Sequence, residues 1–208
     1  MRKNLLALSS AAMVGGLSGA ANAAVITTPA GGNPSNASAL QINPNGIGHI
    51  LTVPYFSTQG NNKTLLSITN TDTTNGKAVK LRFRGAANSD DIFDITVYLS
   101  PGDVWTADVA ADAEGFSRLV TTDTSCTLPS AQDIKDLGGK FKTNRVQGNA
   151  AAQTREGYVE ILNTADIPVN TAADSLYTAL KHVGGKAPCT AAVMDQQAND
   201  LTGTAPDV

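Results

Sequence analysis

The sequence has little of what most enzymes and metalloproteins use for chemistry. Its two cysteines and two histidines, Cys126, Cys189, His49 and His182, do not have the spacing of zinc ligands. It lacks the C-x-x-C-H motif of covalent haem and the G-x-S-x-G motif of serine hydrolases. Because only two histidines could serve as a base, we predict no catalytic residue and no enzymatic activity, with a hydrolase as the least favoured class.

Charge is also sparse. Charged residues make up 16% of the chain, and the first 23 residues hold two of the 15 basic and none of the 18 acidic residues. Without that segment the net charge falls from −3 to −5. A mildly acidic chain has no electrostatic reason to bind nucleic acid or an anionic membrane. Abundant Thr with few Lys and Glu is instead typical of exported β-proteins.

Long apolar runs are missing too, and the N-terminal segment resembles a secretory signal peptide. A basic start, MRK, precedes a weakly apolar stretch and the small-residue site A-N-A that ends at Ala23. We predict cleavage between Ala23 and Ala24 and export to the extracellular space or cell surface, with the periplasm as a further destination. An uncleaved N-terminal anchor is the alternative. No later run is long enough to span a bilayer.

Residues 24–48 are rich in Gly, Pro, Asn and Ser, which predicts a flexible leader before a domain at 49–208. Within the leader, AVITT and ALQI have strand-like apolar content.

Alternating patterns predict a β-rich domain. Over residues 76–109, three segments at 77–84, 92–99 and 104–109 alternate apolar and polar residues between turn signals. They predict three consecutive antiparallel strands. Further strands are predicted at 49–56, 63–70 and 154–164, with another at 116–122, and short helices at 130–137 and 171–182. The fold class predicted is a mainly β, antiparallel, immunoglobulin-like β-sandwich with one or two short helices in the C-terminal half.

The same alternation predicts which side chains are buried. One core should contain Leu66, Ile68, Val79, Leu81, Phe83, Phe93, Ile95, Val97, Leu99, Trp105 and Val109. The lone Trp105 is therefore predicted to be a core residue and not a platform for sugars. Ile92 and Tyr98 fall on the polar face, so Tyr98 and Tyr158 are predicted to point outward. Pro54 should place its strand at a sheet edge or at a bulge. Residues 141–154 are predicted to form a surface loop.

Two groups of polar residues are candidate sites. Asn70, Asp72 and Asn75 on one predicted loop, with Asp90 and Asp91 on another, offer oxygen ligands for calcium, although Asn and Asp are also ordinary turn residues. The basic series Lys80, Arg82 and Arg84 is more typical of a solvated face, or of cross-strand partners for Asp94, than of a polyanion site. His182 is predicted to lie at the surface, at the end of a helix. Calcium is the only cofactor that the sequence favours at all.

The two cysteines have a separate interpretation. In an exported protein, an isolated pair is more often bridged than free, so Cys126 and Cys189 are predicted to form a disulfide. Two free thiols are the alternative.

Several sequence blocks carry a family resemblance. PYFSTQGNNKTLLSITNTDTTNGKAVKLRFRGAANSDDIFDITVYLSPGDVWTADV, TTDTSCTLP and TREGYVEI resemble a group of exported proteobacterial proteins described as cell-surface proteins, over residues 46–193. The resemblance implies a secreted β-rich protein with a Cys126–Cys189 pair and no enzymatic activity. Members of the group continue further at the C-terminus, so this chain is expected to be truncated or a short member. The N-terminal block also resembles immunoglobulin-like surface modules.

These observations predict a structural or adhesive protein at the cell surface, self-assembling or bound to other surface proteins. The alternative is an extracellular module that binds a sugar or another small molecule. An enzyme is the third hypothesis.

Overall fold

A computed structural model describes residues 25–27, 35–37 and 42–199. The predicted signal peptide and its cleavage site at Ala23 and Ala24 lie outside these residues. The chain divides into two units, residues 1–42 and 43–208. In the first unit, β1 (Val25–Thr27) pairs antiparallel with β2 (Ser35–Ala37). β1 falls within the strand-like AVITT segment of the predicted leader.

Within residues 43–199, the second unit has eight strands in two antiparallel sheets. The larger sheet has the order β3-β10-β5-β6-β9 and the smaller one the order β4-β7-β8. The bounds of the larger sheet are β3 (Ile50–Ser57), β5 (Gly76–Gly85), β6 (Asp91–Leu99), β9 (Cys126–Leu128) and β10 (Glu156–Ile167). Those of the smaller sheet are β4 (Lys63–Thr69), β7 (Val104–Ala111) and β8 (Ser117–Val120). The described part of the C-terminal half also contains three α-helices, α1 (Ala131–Asp136), α2 (Leu176–Leu180) and α3 (Ala191–Asn199). None of the helices in the described part of the chain is long and apolar enough to cross a membrane.

The two sheets share one hydrophobic core. Every side chain predicted to be buried belongs to it, although Phe93 is only partly buried. Leu81 and Phe83 from the larger sheet are fully buried together with Trp105 and Val109 from the smaller one. The mainly β, antiparallel fold predicted from the sequence is therefore confirmed, in a sandwich-like arrangement. Its immunoglobulin-like character stays a prediction.

The three consecutive strands predicted over residues 76–109 are present as β5, β6 and β7, but they do not all lie in one sheet. β5 pairs with β6, with Lys80 opposite Thr96, but β7 pairs with β4, with Ser67 opposite Thr106. The turn after β6 carries the chain across to the other sheet, where Asp103 accepts a backbone hydrogen bond from Asn70 (2.8 Å). Both arrangements give the same alternation of buried and exposed residues, so the sequence pattern did not distinguish them.

The predicted polar face of β6 is wrong at its two ends, where Ile92 and Tyr98 are buried. Phe83 pairs with Phe93 but Arg84 pairs with Asp91, so Ile92 is the extra residue of a β-bulge and packs into the core. Tyr98 remains on the outer face of the sheet. It is buried because residues 176–194, which we call the C-terminal segment, cover it.

The C-terminal segment and the outer face of the larger sheet together form a second hydrophobic cluster. Its buried members are Ala78, Tyr98, Cys126, Ile167, Tyr177, Leu180, Ala187 and Met194. Cys126 and Cys189 are joined there, with Cα atoms 5.3 Å apart and a sequence separation of 63, in agreement with the predicted bridge.

The helices agree only in part with the predicted ones. α1 lies within the predicted range and begins with a capping box, in which Ser130 Oγ accepts from the Asp133 N–H and the Asp133 carboxylate accepts from the Ser130 N–H. The helix predicted at 171–182 is shorter, because Ser175 is its N-cap and the Thr178 hydroxyl donates to the carbonyl of Ala172, which holds residues 172–175 in a turn. β9 and α3 were not predicted.

Two further expectations concern loops and edges. The predicted surface loop at 141–154 is wrong in part, because Phe141 and Val146 are buried in the shared core. The prediction for Pro54 is confirmed. β3 is an edge strand, and its register against β10 shifts between the Phe56–Gly157 and Val53–Val159 pairs, on either side of Pro54.

Candidate functional site

The first candidate calcium loop is held together by its own hydrogen bonds. The Oδ1 atom of Asp72 accepts from the backbone N–H groups of Thr74 (2.8 Å) and Asn75 (3.0 Å), and Oδ2 accepts from the Asn75 side-chain amide (3.0 Å). The Asn75 and Thr74 donors hold the pKa of Asp72 well below its usual range. Asn70 accepts from the Asp72 N–H. The side-chain oxygens of Asn70 and Asp72 thus serve the turn, and calcium binding here stays a prediction.

The second candidate loop lies at the other end of β5. Asp90 accepts from the Asn88 side chain, and Asp91 accepts from Arg82 at 3.1 Å. The two candidate loops are therefore not brought together. Nowhere in residues 42–199 do three or more acidic, histidine or cysteine side chains group as metal ligands would.

The basic series of β5 is neutralised by carboxylates on the neighbouring strands. Lys80 and Arg82 lie 3.5 and 3.7 Å from Asp94, as the sequence predicted. Arg84 lies 3.0 Å from Glu160 on β10, a partner that sequence reasoning missed because β10 follows about 75 residues later. Burial raises the pKa of Asp94. This face therefore offers no free basic patch for a polyanion.

His182 is more enclosed than a surface histidine. Its Nδ1 atom lies 3.1 Å from Ser100 Oγ and 3.5 Å from Asp103 Oδ2, and its Nε2 atom lies 3.4 Å from Thr124 Oγ1. In a catalytic triad, the serine and the acid contact opposite nitrogens of the ring, whereas here both face Nδ1. The Thr124 hydroxyl donates to the carbonyl of Gly185. The cluster therefore attaches the C-terminal segment to the β6–β7 turn.

The aromatic side chains give a sugar little to stack on. Trp105 is fully buried, as predicted. Tyr98 lies on the outer face, as predicted, but it is only 5% exposed because the C-terminal segment covers it. Tyr158 is half-buried.

The edges of the two sheets differ in how well they are protected from pairing with another chain. Proteins protect edge strands by making them short or by interrupting them with proline and bulges. β9 has three residues, β8 has four, and β3 carries Pro54 and a bulge. β4 has seven residues, contains no proline and keeps an unbroken register with β7. Among the described residues β4 pairs with β7 alone, so its other edge is open.

The side chains beside this open edge are also exposed. Leu65 on β4 is 79% exposed and Val104 on β7 is 45% exposed. Lys63 forms an ion pair with Asp108 on the same face (3.4 Å). We call the outward edge of β4, with these exposed side chains, the β4 edge. Sequence reasoning missed it because strand pairing decides which strands lie at an edge.

A cleft of about 260 Å³ opens between the two sheets at one end of the unit. We call it the end cleft. Its aliphatic lining is Ile47, Leu51, Ile68, Val79, Leu99 and Ile161. At its rim, Lys77 lies 2.7 Å from Asp166 and 3.3 Å from Asp72. Sequence reasoning missed the cleft because its walls come from five strands that are far apart in the chain.

Searches against protein-family profiles, curated proteins and solved structures found no match to this chain.

Proposed function

We propose that this chain is an exported structural or adhesive protein that associates with a second copy of itself through the β4 edge. The observation that carries the proposal is the contrast between β4 and the other three edges. An unprotected edge strand presents a row of backbone N–H and C=O groups that pair readily with another strand. Three edges of this protein are short or interrupted, whereas the longest regular edge is neither, and its one charged residue, Lys63, lies at its first position.

The β4 edge is also compatible with pairing to itself. An antiparallel pair centred on Leu66 would set Lys63 opposite Thr69 of the second copy, and Leu65 opposite Ser67. The two lysines would then lie at opposite ends of the pair, so like charges would not meet. Such pairing would join the two smaller sheets into one six-stranded sheet. It would also bring the exposed Leu65 into contact with the second copy.

Export is a separate part of the proposal. The A-N-A site before Ala24 and the bridged Cys126 and Cys189 both support it, since disulfides persist in oxidising compartments. The resemblance of residues 46–193 to exported cell-surface proteins is consistent with it. Mass spectrometry of the exported protein should give a chain that begins at Ala24, and an intact Met1 in that fraction would contradict export by cleavage.

Sedimentation velocity over a range of protein concentrations tests the association. We expect the wild-type protein to self-associate and Leu65→Lys to be monomeric, because a charge at an edge strand opposes pairing. The matched control is Thr52→Lys, which adds the same charge at an exposed position of the protected edge strand β3. It should associate like the wild type.

Two results would overturn the proposal. A wild-type protein that is monomeric at every concentration would exclude self-association. If Thr52→Lys abolishes association and Leu65→Lys does not, the contact between the two copies lies at β3 and not at β4.

A further inference from the structure

We infer that the end cleft binds a small uncharged molecule with an aliphatic body, of the class of medium-chain alcohols and amides. This inference concerns a different surface from the β4 edge and does not depend on self-association.

The floor of the cleft determines the aliphatic part of the ligand. Ile68 from the smaller sheet faces Val79, Leu99 and Ile161 from the larger one, and all four are buried residues of the shared core. A ligand that enters between the sheets would contact apolar side chains on both sides and would remove its own apolar surface from water. Among the described residues that line it, none is Phe, Tyr or Trp. Since sugar rings bind on aromatic faces, the lining favours an aliphatic group over a sugar.

The rim of the cleft determines that the ligand is uncharged. The ammonium group of Lys77 lies between the carboxylates of Asp166 and Asp72, and its side chain is only 17% exposed. These three charges are already paired with one another, so a ligand carboxylate or ammonium group would find no unpaired charge among them. It would lose its hydration in the cleft without gaining an ion pair of its own, which is costly. The hydroxyls of the exposed Thr69 and Thr71 at the rim suit a neutral hydroxyl or amide group.

The walls of the cleft are already fixed by hydrogen bonds. The side-chain amide of Asn70 donates to the carbonyls of Asn75 and Ser100, at 2.9 Å each, and holds the β4–β5 turn in place. On the other wall, the Asn163 N–H donates to the carbonyl of His49 at 2.8 Å. A preformed site avoids the cost of ordering its walls when a ligand binds. Its volume is just below the range of about 300–1,000 Å³ for sites of drug-sized molecules, so the ligand is smaller than these.

Three probes with the same six-carbon chain test the class of ligand. 1-Hexanol, hexanoate and hexylammonium are titrated into ¹⁵N-labelled full-length protein, and the shifts of backbone amide signals are followed by NMR. We expect 1-hexanol to shift the signals of Ile68, Val79 and Ile161 at concentrations about tenfold lower than the two charged probes. Hexanoate or hexylammonium binding as tightly as 1-hexanol would show that the assigned class is wrong.

A substitution at the mouth of the cleft tests the location. Gly48 lines the cleft and has no left-handed backbone, and a Cβ atom there would meet Leu51 Cδ2 at 3.9 Å and Ile50 O at 3.7 Å, which are ordinary contacts. Gly48→Trp should therefore fold and weaken 1-hexanol binding at least tenfold. Ala87→Trp, in the exposed loop at the other end of β5, adds the same side chain as a control and should bind like the wild type.

A third variant tests the role of the rim. Lys77→Gln removes the cation and leaves Asp72 and Asp166 opposed, so we expect hexylammonium to become the preferred probe by about tenfold.

If Gly48→Trp and Ala87→Trp bind 1-hexanol equally, or if the shifted signals lie away from the cleft, the inference is wrong. Sedimentation of the same samples measures self-association separately. A wrong prediction of ligand binding in the end cleft can therefore be distinguished from a wrong prediction of association through the β4 edge.

Discussion

At the scale of single residues, one glycine is required by the close approach of three strands. Gly157 on β10 lies between Phe56 on β3 and Gly85 on β5. A Cβ atom at position 157 would overlap the carbonyl oxygen of Arg84 and would lie 2.8 Å from Phe56 Cε1. At Gly85, its neighbour across the strands, a Cβ atom would meet only ordinary contacts, the nearest being Ile92 Cγ2 at 3.6 Å.

We expect Gly157→Ala to lower the free energy of unfolding by about 3 kcal/mol, because the backbone of β5 or β10 would have to move. Gly85→Ala should change it by less than about 1 kcal/mol, because the methyl group fits and the unfolded chain loses freedom. Urea unfolding of the two variants measures the difference. Equal losses would mean that the strands can separate without cost at position 157.

At the scale of an element, the β4–β5 turn depends on an ionised carboxylate. The N–H groups of Asn75 and Thr74 bond the charged form of Asp72, so its pKa in the folded protein lies below the value of about 3.9 in an unfolded chain. A lowered pKa stabilises the folded protein fully above about pH 4, and this contribution is lost as the pH falls through the folded pKa. Because the Asp72 side chain is 27% exposed, solvent screening keeps the contribution modest.

We therefore expect Asp72→Asn to lower the free energy of unfolding at pH 6. The further decrease in this free energy between pH 6 and pH 3 should be smaller than in the wild type. Asp90→Asn, in the other candidate loop, is the control and should leave the stability at pH 6 nearly unchanged. The free energy of unfolding at the two pH values gives the comparison. If Asp72→Asn loses as much stability on acidification as the wild type does, the carboxylate does not hold the turn.

At the scale of the whole molecule, the disulfide ties the second cluster to the larger sheet. Cys126 lies at the start of β9 and Cys189 lies between α2 and α3. The shared core between the sheets contains neither cysteine. The bridge should therefore stabilise the C-terminal segment more directly than it stabilises the sandwich.

Replacing both cysteines by serine should lower the free energy of unfolding by about 4 kcal/mol, on a chain-entropy estimate for a loop of this length. Hydrogen exchange should show earlier loss of protection at Leu180 in α2 than at Leu81 and Phe83 in β5. Thiol labelling of the unfolded, unreduced wild type is the companion measurement and should find no free cysteine. Equal loss of protection in both regions would mean that the molecule opens as one cooperative unit.

The amino-acid sequence by itself determined the strands of the two sheets other than β9 and, except at Ile92 and Tyr98, the sides that they bury. Leu81 and Phe83 alternate with Lys80 and Arg82, and this local alternation settles which face is apolar wherever the strand pairs. The capping box of α1 is equally local. Export and calcium binding are predictions that rest on the sequence alone.

Only the tertiary structure decided which strands are neighbours and which surfaces stay open. β7 alternates in the same way whether it joins β6 or β4, so its place in the smaller sheet follows from long-range pairing. Tyr98 lies on a face that its strand pattern marks as exposed, and it is buried because a segment about 80 residues later covers it. The β4 edge and the end cleft arise in the same way, since an edge is defined by the absence of a neighbouring strand and a cleft by the distance between two sheets. The local sequence specifies neither the edge nor the cleft, because both depend on contacts between residues that are distant along the chain.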